Sequence, residues 1–211
     1  MTKPLDIRAS YDSAASAYAE HLSSELAQKP LDRHILNRFA EAVSGRGLVA
    51  DLGCGPGHIA KYLHERAVTV CGIDLSPEMV RCATHLCPDL EFRVGDMRSL
   101  DLPVASLAGI VAFYSIVHFG ASELGAVFRE CRRVLVRQGL LLLAFHIGDE
   151  TVHVDELWGR PVCLDFRFYR PSEVISLLHD AGLIVTESVE REPYEGAEYP
   201  SRRCYLLCTA A

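Results

Sequence analysis

No two of the eight cysteines in this 211-residue chain are spaced as C-x-x-C. Cys54, Cys71, Cys82, Cys87, Cys131, Cys163, Cys204 and Cys208 are scattered, several of them in apolar strands or helix faces, where a free thiol behaves as a small hydrophobe. A zinc ribbon, a redox motif or any other metal site is therefore not expected. Long apolar runs are missing too: the stretch 140–145 is of strand length, far short of a bilayer span. The opening Met1-Thr2-Lys3-Pro4 has no apolar signal core, so the expectation is a soluble, cytoplasmic protein with no membrane partner. Positive charge is scarce, with 21 Lys and Arg against 28 Asp and Glu and a net charge of −7, which disfavours a nucleic-acid backbone as partner. The local cluster Arg129, Arg132, Arg133 and Arg137 reads as a solvated helix face with favourable charge at its C-terminal end. What the chain does have is apolar content, 49%, enough for a full core. Its length suits one α/β unit, residues 1–211, with an N-terminal addition. Nothing in it indicates an oligomeric state.

Within that frame one stretch stands out. Gly47-Leu48-Val49-Ala50 is an apolar run that reaches Asp51 and then breaks into Leu52-Gly53-Cys54-Gly55-Pro56-Gly57. The residues after it, from His58, read as a helix, so the glycines sit at a helix N-terminus, where they permit φ > 0 and close approach of a ligand. A phosphate-cradling loop would need Lys-Ser/Thr after the last glycine, and Lys61 is instead a helix residue. A dinucleotide fingerprint would need G-x-G-x-x-G, and the spacing here is G-x-G-x-G with a proline inside. Asp51 would repel a triphosphate and suits a cationic group, an ammonium or a sulfonium.

Helical spacing is expected over 11–28 and 31–43, then strand 48–51, helix 58–65, strand 68–74 and helix 77–86, with Ser76 as N-cap and Pro77 at the first helical position. Strand 91–94, strand 107–114, helix 123–136 and strand 140–146 follow. Strands this continuously apolar, alternating with helices, imply a parallel sheet covered on both faces. Residues 148–171 read as an irregular, substrate-side insertion that holds the only tryptophan, Trp158, and Phe166-Arg167-Phe168-Tyr169. A helix over 171–180 precedes two strands, 183–191 and 203–209, which have no helix between them and must pair antiparallel. The expected fold is α/β: a doubly wound, Rossmann-like, mostly parallel sheet of seven strands with an antiparallel C-terminal hairpin strand.

In such a sheet a ligand lies across the carboxyl ends of the strands. Three consecutive strand ends carry Asp51, Asp74 and Asp96. Asp74 is placed to accept from ribose hydroxyls and Asp96 from an exocyclic amine, with Leu75 and Met97 covering the two faces of a purine. At this point the chain resembles, from about residue 31 onward, the class I S-adenosylmethionine-dependent methyltransferases, in the small-molecule group that includes the ubiquinone-biosynthesis type. The resemblance implies S-adenosyl-L-methionine as cofactor. It assigns the methionine end to Gly53, Gly55 and Gly57, the ribose to Asp74 and the adenine amine to Asp96. Tyr11-Asp12 with Tyr18 is similar to the family's N-terminal lid, here 1–45, where a tyrosine approaches the cofactor carboxylate. Gln138-Gly139 stands where the family often has Pro-Gly, a departure that touches only turn chemistry.

Methyl transfer from a sulfonium is an in-line displacement that chiefly requires alignment. Phe113-Tyr114-Ser115-Ile116-Val117-His118 is expected beside the transferred methyl, and it lacks the Asn/Asp-Pro-Pro-Tyr/Phe signature of enzymes that methylate adenine or glutamine amides. His118 is the leading candidate for a base or substrate-orienting group and His146 the second, since imidazole titrates near neutrality. The aromatics of the insertion suit a flat acceptor. The expectation is a transferase that methylates an N or O atom of a small aromatic or heterocyclic metabolite. A cofactor-binding regulatory or scaffold protein without chemistry is the alternative. A nicotinamide-dependent oxidoreductase is favoured by Asp74 and opposed by the loop spacing and by Asp51.

Overall fold

The computed structural model describes residues 6–196 and 198–211; residues 1–5 of the expected lid, and with them the opening Met1-Thr2-Lys3-Pro4, lie outside the described residues. In chain order the elements are α1 (Ile7–Leu22), a 3-10 turn (Glu25–Gln28), α2 (Pro30–Val43), β1 (Val49–Leu52), α3 (His58–His64), β2 (Val70–Asp74), α4 (Pro77–Leu86) and β3 (Glu91–Val94). Then come β4 (Leu107–Phe113), α5 (Ala121–Val134), β5 (Leu135–His146), β6 (Thr151–Leu157), β7 (Arg160–Arg167), α6 (Pro171–Asp180), β8 (Leu183–Arg191) and β9 (Arg203–Ala210). Seven strands form one sheet in the order β3-β2-β1-β4-β5-β9-β8. The pairs from β3 to β5 are parallel, and β9 runs antiparallel between β5 and β8. This is the doubly wound sheet with an antiparallel C-terminal strand that the alternation of elements implies.

The layers follow from the residues that face the sheet. On one face α5 and α6 bury Leu124, Val127, Phe128, Val174 and Leu178. On the other α2 and α3 bury Leu36, Phe39, Ala40, Ile59 and Leu63. β1 is buried at all four positions, as a central parallel strand must be. Local chemistry sets the helix starts: the Asp6 carboxylate accepts from Ala9 N at 3.0 Å for α1, and Ser76 Oγ accepts from Met79 N at 3.1 Å for α4.

The structure departs from the sequence reading in three places. First, α1 begins at Ile7 and ends at Leu22, and residues 25–28 form the separate 3-10 turn, so the expected 11–28 helix is two pieces broken at Ser23-Ser24. Second, β5 starts at Leu135, directly after α5, with Gln138 at φ +60°. Third, the 148–171 segment is not irregular. It holds a two-stranded antiparallel hairpin, β6–β7, in which Leu157 faces Arg160 across a two-residue turn. Trp158 (φ +47°) and Gly159 (φ +75°) are both left-handed, the geometry of a tight hairpin turn. Val162 and Leu164 pack with Ala14, Ile7 and Tyr11 of α1, so the hairpin lies against the N-terminal helix.

Candidate functional site

A cavity of about 450 Å³ opens at the carboxyl ends of β1, β2 and β4, between the loop after β1 and the inner side of α1. Gly53 and Gly55 form part of its wall. Gly53 has φ +68°, and a Cβ there would lie 2.4 Å from Ser115 Cβ. Gly55 has φ +52°, and its Cβ would meet the Tyr18 ring at 3.8 Å.

Two members of the motif do not face the cavity. Gly57 caps α3 at φ +83°, and a Cβ there would strike the Phe92 ring at 2.8 Å, so its smallness serves interior packing. Asp51 is 1% exposed and lies behind the loop, its Oδ2 accepting from Ala60 N at 3.1 Å in the first turn of α3. Burial pushes its carboxyl up to about 7. The expectation that Asp51 meets a cation directly is corrected accordingly: its side chain turns from the strand end into the protein to satisfy a helix-terminal N–H.

Asp74 does line the cavity. Its Oδ2 accepts from Gly55 N at 2.8 Å and its Oδ1 from Ser76 N at 2.9 Å, which ties the loop after β1 to the start of α4. Each oxygen keeps acceptor capacity toward the cavity. Burial raises its pKa above the usual carboxylate range. Leu75, Asp96, Met97 and Phe113 are also in the wall. Asp96 is engaged by Arg98, whose guanidinium approaches at 2.7 Å and holds the carboxyl below its ordinary pKa. Arg98 reaches Glu123 at 3.0 Å as well and itself borders the cavity.

Tyr11, Tyr18, His118 and Trp158 close the side toward α1 and the hairpin. His118 Nδ1 lies 2.8 Å from the Asp165 carbonyl, which can only accept, so Nδ1 carries the proton. His118 Nε2 then accepts from the Tyr11 hydroxyl at 2.7 Å. Burial lowers the His118 pKa and raises that of Tyr11, so both groups are neutral near pH 7. One histidine thus connects β4's exit, α1 and β7. Trp158 stacks on His21 at 4.9 Å and meets Tyr18 edge-on at 5.2 Å.

The far end is polar. Tyr114, the first residue after β4, sits at φ +53°, a strained conformation of the kind that concentrates at functional sites. Its hydroxyl bonds that of Tyr205 at 2.9 Å. His146 Nδ1 lies 2.7 Å from Ser201 Oγ and its ring stacks on Phe168 at 5.0 Å. Burial, with Arg203 next in importance, lowers the His146 pKa to about 4. Glu25, Lys29, His58, Glu198 and Arg203 also border the cavity and have no motif that would have marked them, while Ser115 borders it within the 113–118 segment expected beside the transferred methyl. Glu25 accepts from Lys29 at 2.5 Å and joins His58 Nε2 at 2.8 Å; these partners outweigh burial and hold its carboxyl down at about 2. The cavity therefore brings together every cofactor or base candidate named from the sequence except Asp51 and Gly57.

Among the described residues no helix is long and apolar enough to cross a membrane. None of their His, Cys, Asp and Glu side chains form a group of three or more able to hold a metal ion.

The family model described as "Methyltransferase domain" matches residues 49–139. The demethylmenaquinone methyltransferase of Thermotoga maritima is 36% identical over 97 residues, 45% of this chain and 42% of that one. The malonyl-[acyl-carrier protein] O-methyltransferase of Serratia marcescens is 28% identical over 147 residues, 68% of this chain and 56% of that one. The chain spans about half the length of the curated relatives it matches. Among solved structures, the CcbJ methyltransferase from Streptomyces caelestis superposes with a TM-score of 0.73 at 19% identity, covering 96% of this chain and 98% of that one. Loop, strand order and family match agree: residues 49–139 match the methyltransferase domain model, and the chain has the Rossmann-like fold of the methyltransferase structures it superposes on.

Proposed function

We propose that the protein transfers a methyl group from S-adenosyl-L-methionine to an N or O atom of a small, aromatic or heterocyclic metabolite. The observation that carries this is Asp74, a half-buried carboxylate locked to Gly55 N at 2.8 Å beside the part of the cavity wall that Gly53 and Gly55 form. The donor set suits an adenosyl sulfonium. Asp74 offers acceptors for ribose hydroxyls, Leu75 and Met97 offer apolar faces for a purine, and Ser115 Oγ is a buried hydroxyl without a partner on the cavity wall. Bound there, the cofactor supplies an electrophilic methyl carbon: the bond to the acceptor forms as the carbon–sulfur bond breaks, and the acceptor loses its proton.

The chain's own part is alignment and the exclusion of water. α1 and the β6–β7 hairpin act as the cover, held together by the Tyr11–His118–Asp165 connection and by Trp158 against Tyr18. His118 is the orienting group or base. Its Nε2 lone pair is free to take the acceptor's proton once the Tyr11 hydroxyl turns away. Replacing His118 with Ala should lower turnover on the order of 100-fold while changing the Kd for S-adenosylmethionine by less than about threefold. A pH–rate profile the same as that of the unsubstituted protein would remove His118 as the base.

Calorimetry with S-adenosylmethionine, S-adenosylhomocysteine and NAD tests the cofactor, and only the first two should bind. A methyl-transfer screen against small phenols, amines and heterocycles tests the activity. Tight binding with no transfer to any of them favours the regulatory or scaffold role instead.

A further inference from the structure

We infer that the acceptor is an acid: a carboxylate on its ring is received by Arg203, beside His146, at the polar end of the cavity. This deepens the methyl-transfer reading and rests on it. His146 at the end of β5 and Arg203 at the start of β9 are directly opposed in the antiparallel register, so their side chains share one face of the sheet. Both border the cavity, at the end away from Asp74 and next to Tyr114, the residue that follows β4.

Arg203 is 3% exposed. One of its terminal nitrogens donates to the Tyr199 carbonyl at 2.9 Å and also to the Ser201 carbonyl, contacts that orient the guanidinium and carry no countercharge. Its Nε is buried and has no hydrogen-bond acceptor among the described residues. The neighbouring carboxylate does not supply one. Glu198 Oε2 lies 3.4 Å from Nε without hydrogen-bond geometry. Both Glu198 oxygens are taken by Arg191, at 2.6 and 2.8 Å, and Oε2 accepts from Tyr194 N as well. Asp32 is committed to Arg191 at 2.9 Å, and Glu25 to Lys29 at 2.5 Å. The other groups facing this end, Tyr114 and Tyr205, bond each other and bring no charge.

Three cations and three carboxylates therefore share the region; Glu198 is ion-paired with Arg203 at 3.4 Å but is shared with Arg191 and Lys29, so Arg203 is the cation with no carboxylate hydrogen-bonded to it among the described residues. A buried guanidinium in that position is costly unless something else satisfies it. Its second terminal nitrogen, which makes no hydrogen bond among the described residues and is not sealed as Nε is, is the one a ligand carboxylate on the cavity side meets. In the tautomer in which Ser201 Oγ donates to His146 Nδ1, Nε2 carries the imidazole proton and adds a second donor. The rings of His146 and Tyr199 border the cavity here, edge-on to each other at 6.4 Å with the buried Phe168 packed against both, and make walls that fit a flat ring bearing the acid.

The test uses the full chain saturated with S-adenosylhomocysteine. Calorimetry compares matched pairs of probes: benzoate and benzamide, 4-hydroxybenzoate and its amide, nicotinate and nicotinamide, indole-3-carboxylate and its amide. At least one acid should bind tenfold or more tightly than its own amide. Arg203→Gln should erase that preference and Arg203→Lys keep part of it, with S-adenosylhomocysteine affinity unchanged within about threefold in both. Equal binding of acids and amides across the panel overturns the inference, as does a preference that survives Arg203→Gln. Loss of S-adenosylhomocysteine affinity in either variant at an unchanged melting temperature also overturns it, because Arg203 would then hold the cofactor's carboxylate. Where Arg203→Gln does not fold, the comparison of Arg203→Lys with the unsubstituted protein decides, an undiminished preference counting against the inference. Failure of the unsubstituted protein to bind S-adenosylhomocysteine is a separate result, and it removes the methyl-transfer reading itself.

Discussion

Gly53→Ala is expected to abolish S-adenosylmethionine binding and to destabilise the protein by about 2–5 kcal/mol. The expectation has two independent parts. An alanine at φ +68° sits in the left-handed region, which costs about 1–2 kcal/mol for a residue with a Cβ. The new methyl group would also lie 2.4 Å from Ser115 Cβ and 3.3 Å from Met97 Cε, inside the wall of the cavity. Ser115 follows β4 directly after the strained Tyr114, so it cannot retreat without moving the strand end on which the candidate site is built. Gly45→Ala separates the two parts. Gly45 has φ +71° and nothing within 4 Å of the added atom, so that variant should lose only the conformational share and leave cofactor affinity intact. Urea denaturation and calorimetry on both variants read the difference. Cofactor binding by Gly53→Ala within about threefold of normal would mean that the loop after β1 does not meet the cofactor.

Much of the fold was legible because the signals that mark it are local. Strands such as Val49–Leu52 and Leu107–Phe113 are buried at nearly every position, so apolar runs broken by helical spacing were enough to order them. The break after Asp51 and the Ser76-Pro77 start of α4 were readable for the same reason. Direction was not. Asp51 and Gly57 stand in the motif as plainly as Gly53 and Asp74, yet the first turns inward to Ala60 N and the second meets Phe92. A linear pattern shows which residue is present, not which way its Cβ points once the chain turns. The β6–β7 hairpin is poorly marked in the sequence because its turn is Trp158-Gly159 and not one of the usual Asn-Gly or Asp-Gly pairs, and because a register shift between Val154 and Glu156 breaks the alternation begun by Val152 and Val154. The Lys29, Asp32, Arg191, Glu198 and Arg203 cluster could not have been seen at all. Its members come from α2 and its entry, from β8, from the loop after β8 and from β9, and only the finished sheet brings them together.

The inward turn of Asp51 has a measurable consequence in the pH dependence of stability. In the folded protein its carboxyl titrates near 7, against 3.8 for an exposed aspartate, because burial disfavours the ionised form. Below 3.8 the carboxyl is protonated in both states. Between 3.8 and about 7 the native state holds a proton that the unfolded chain has released, so stability falls as pH rises through that window and levels off above it. At about 1.4 kcal/mol per pH unit the fall amounts to roughly 4 kcal/mol. His146 works in the opposite direction: its folded pKa of about 4 lies below the ordinary 6.5, so it adds stability as pH rises over nearly the same range. The two slopes oppose each other, so the unsubstituted protein's own profile does not isolate Asp51. Asp51→Asn removes one slope and keeps the other. Its stability relative to the unsubstituted protein should therefore climb by roughly 4 kcal/mol from pH 4 to pH 8, even though the asparagine must reorient to offer Ala60 N an acceptor. Denaturant midpoints of the two proteins across that range give this difference directly, and contributions from Glu25, Glu198 and His146 drop out because both proteins share them. A difference that stays constant with pH would mean that Asp51 is ionised in the folded state throughout. A carboxylate buried to 1% exposure would then need a cationic partner, which is the role first read for it from its place at the end of β1.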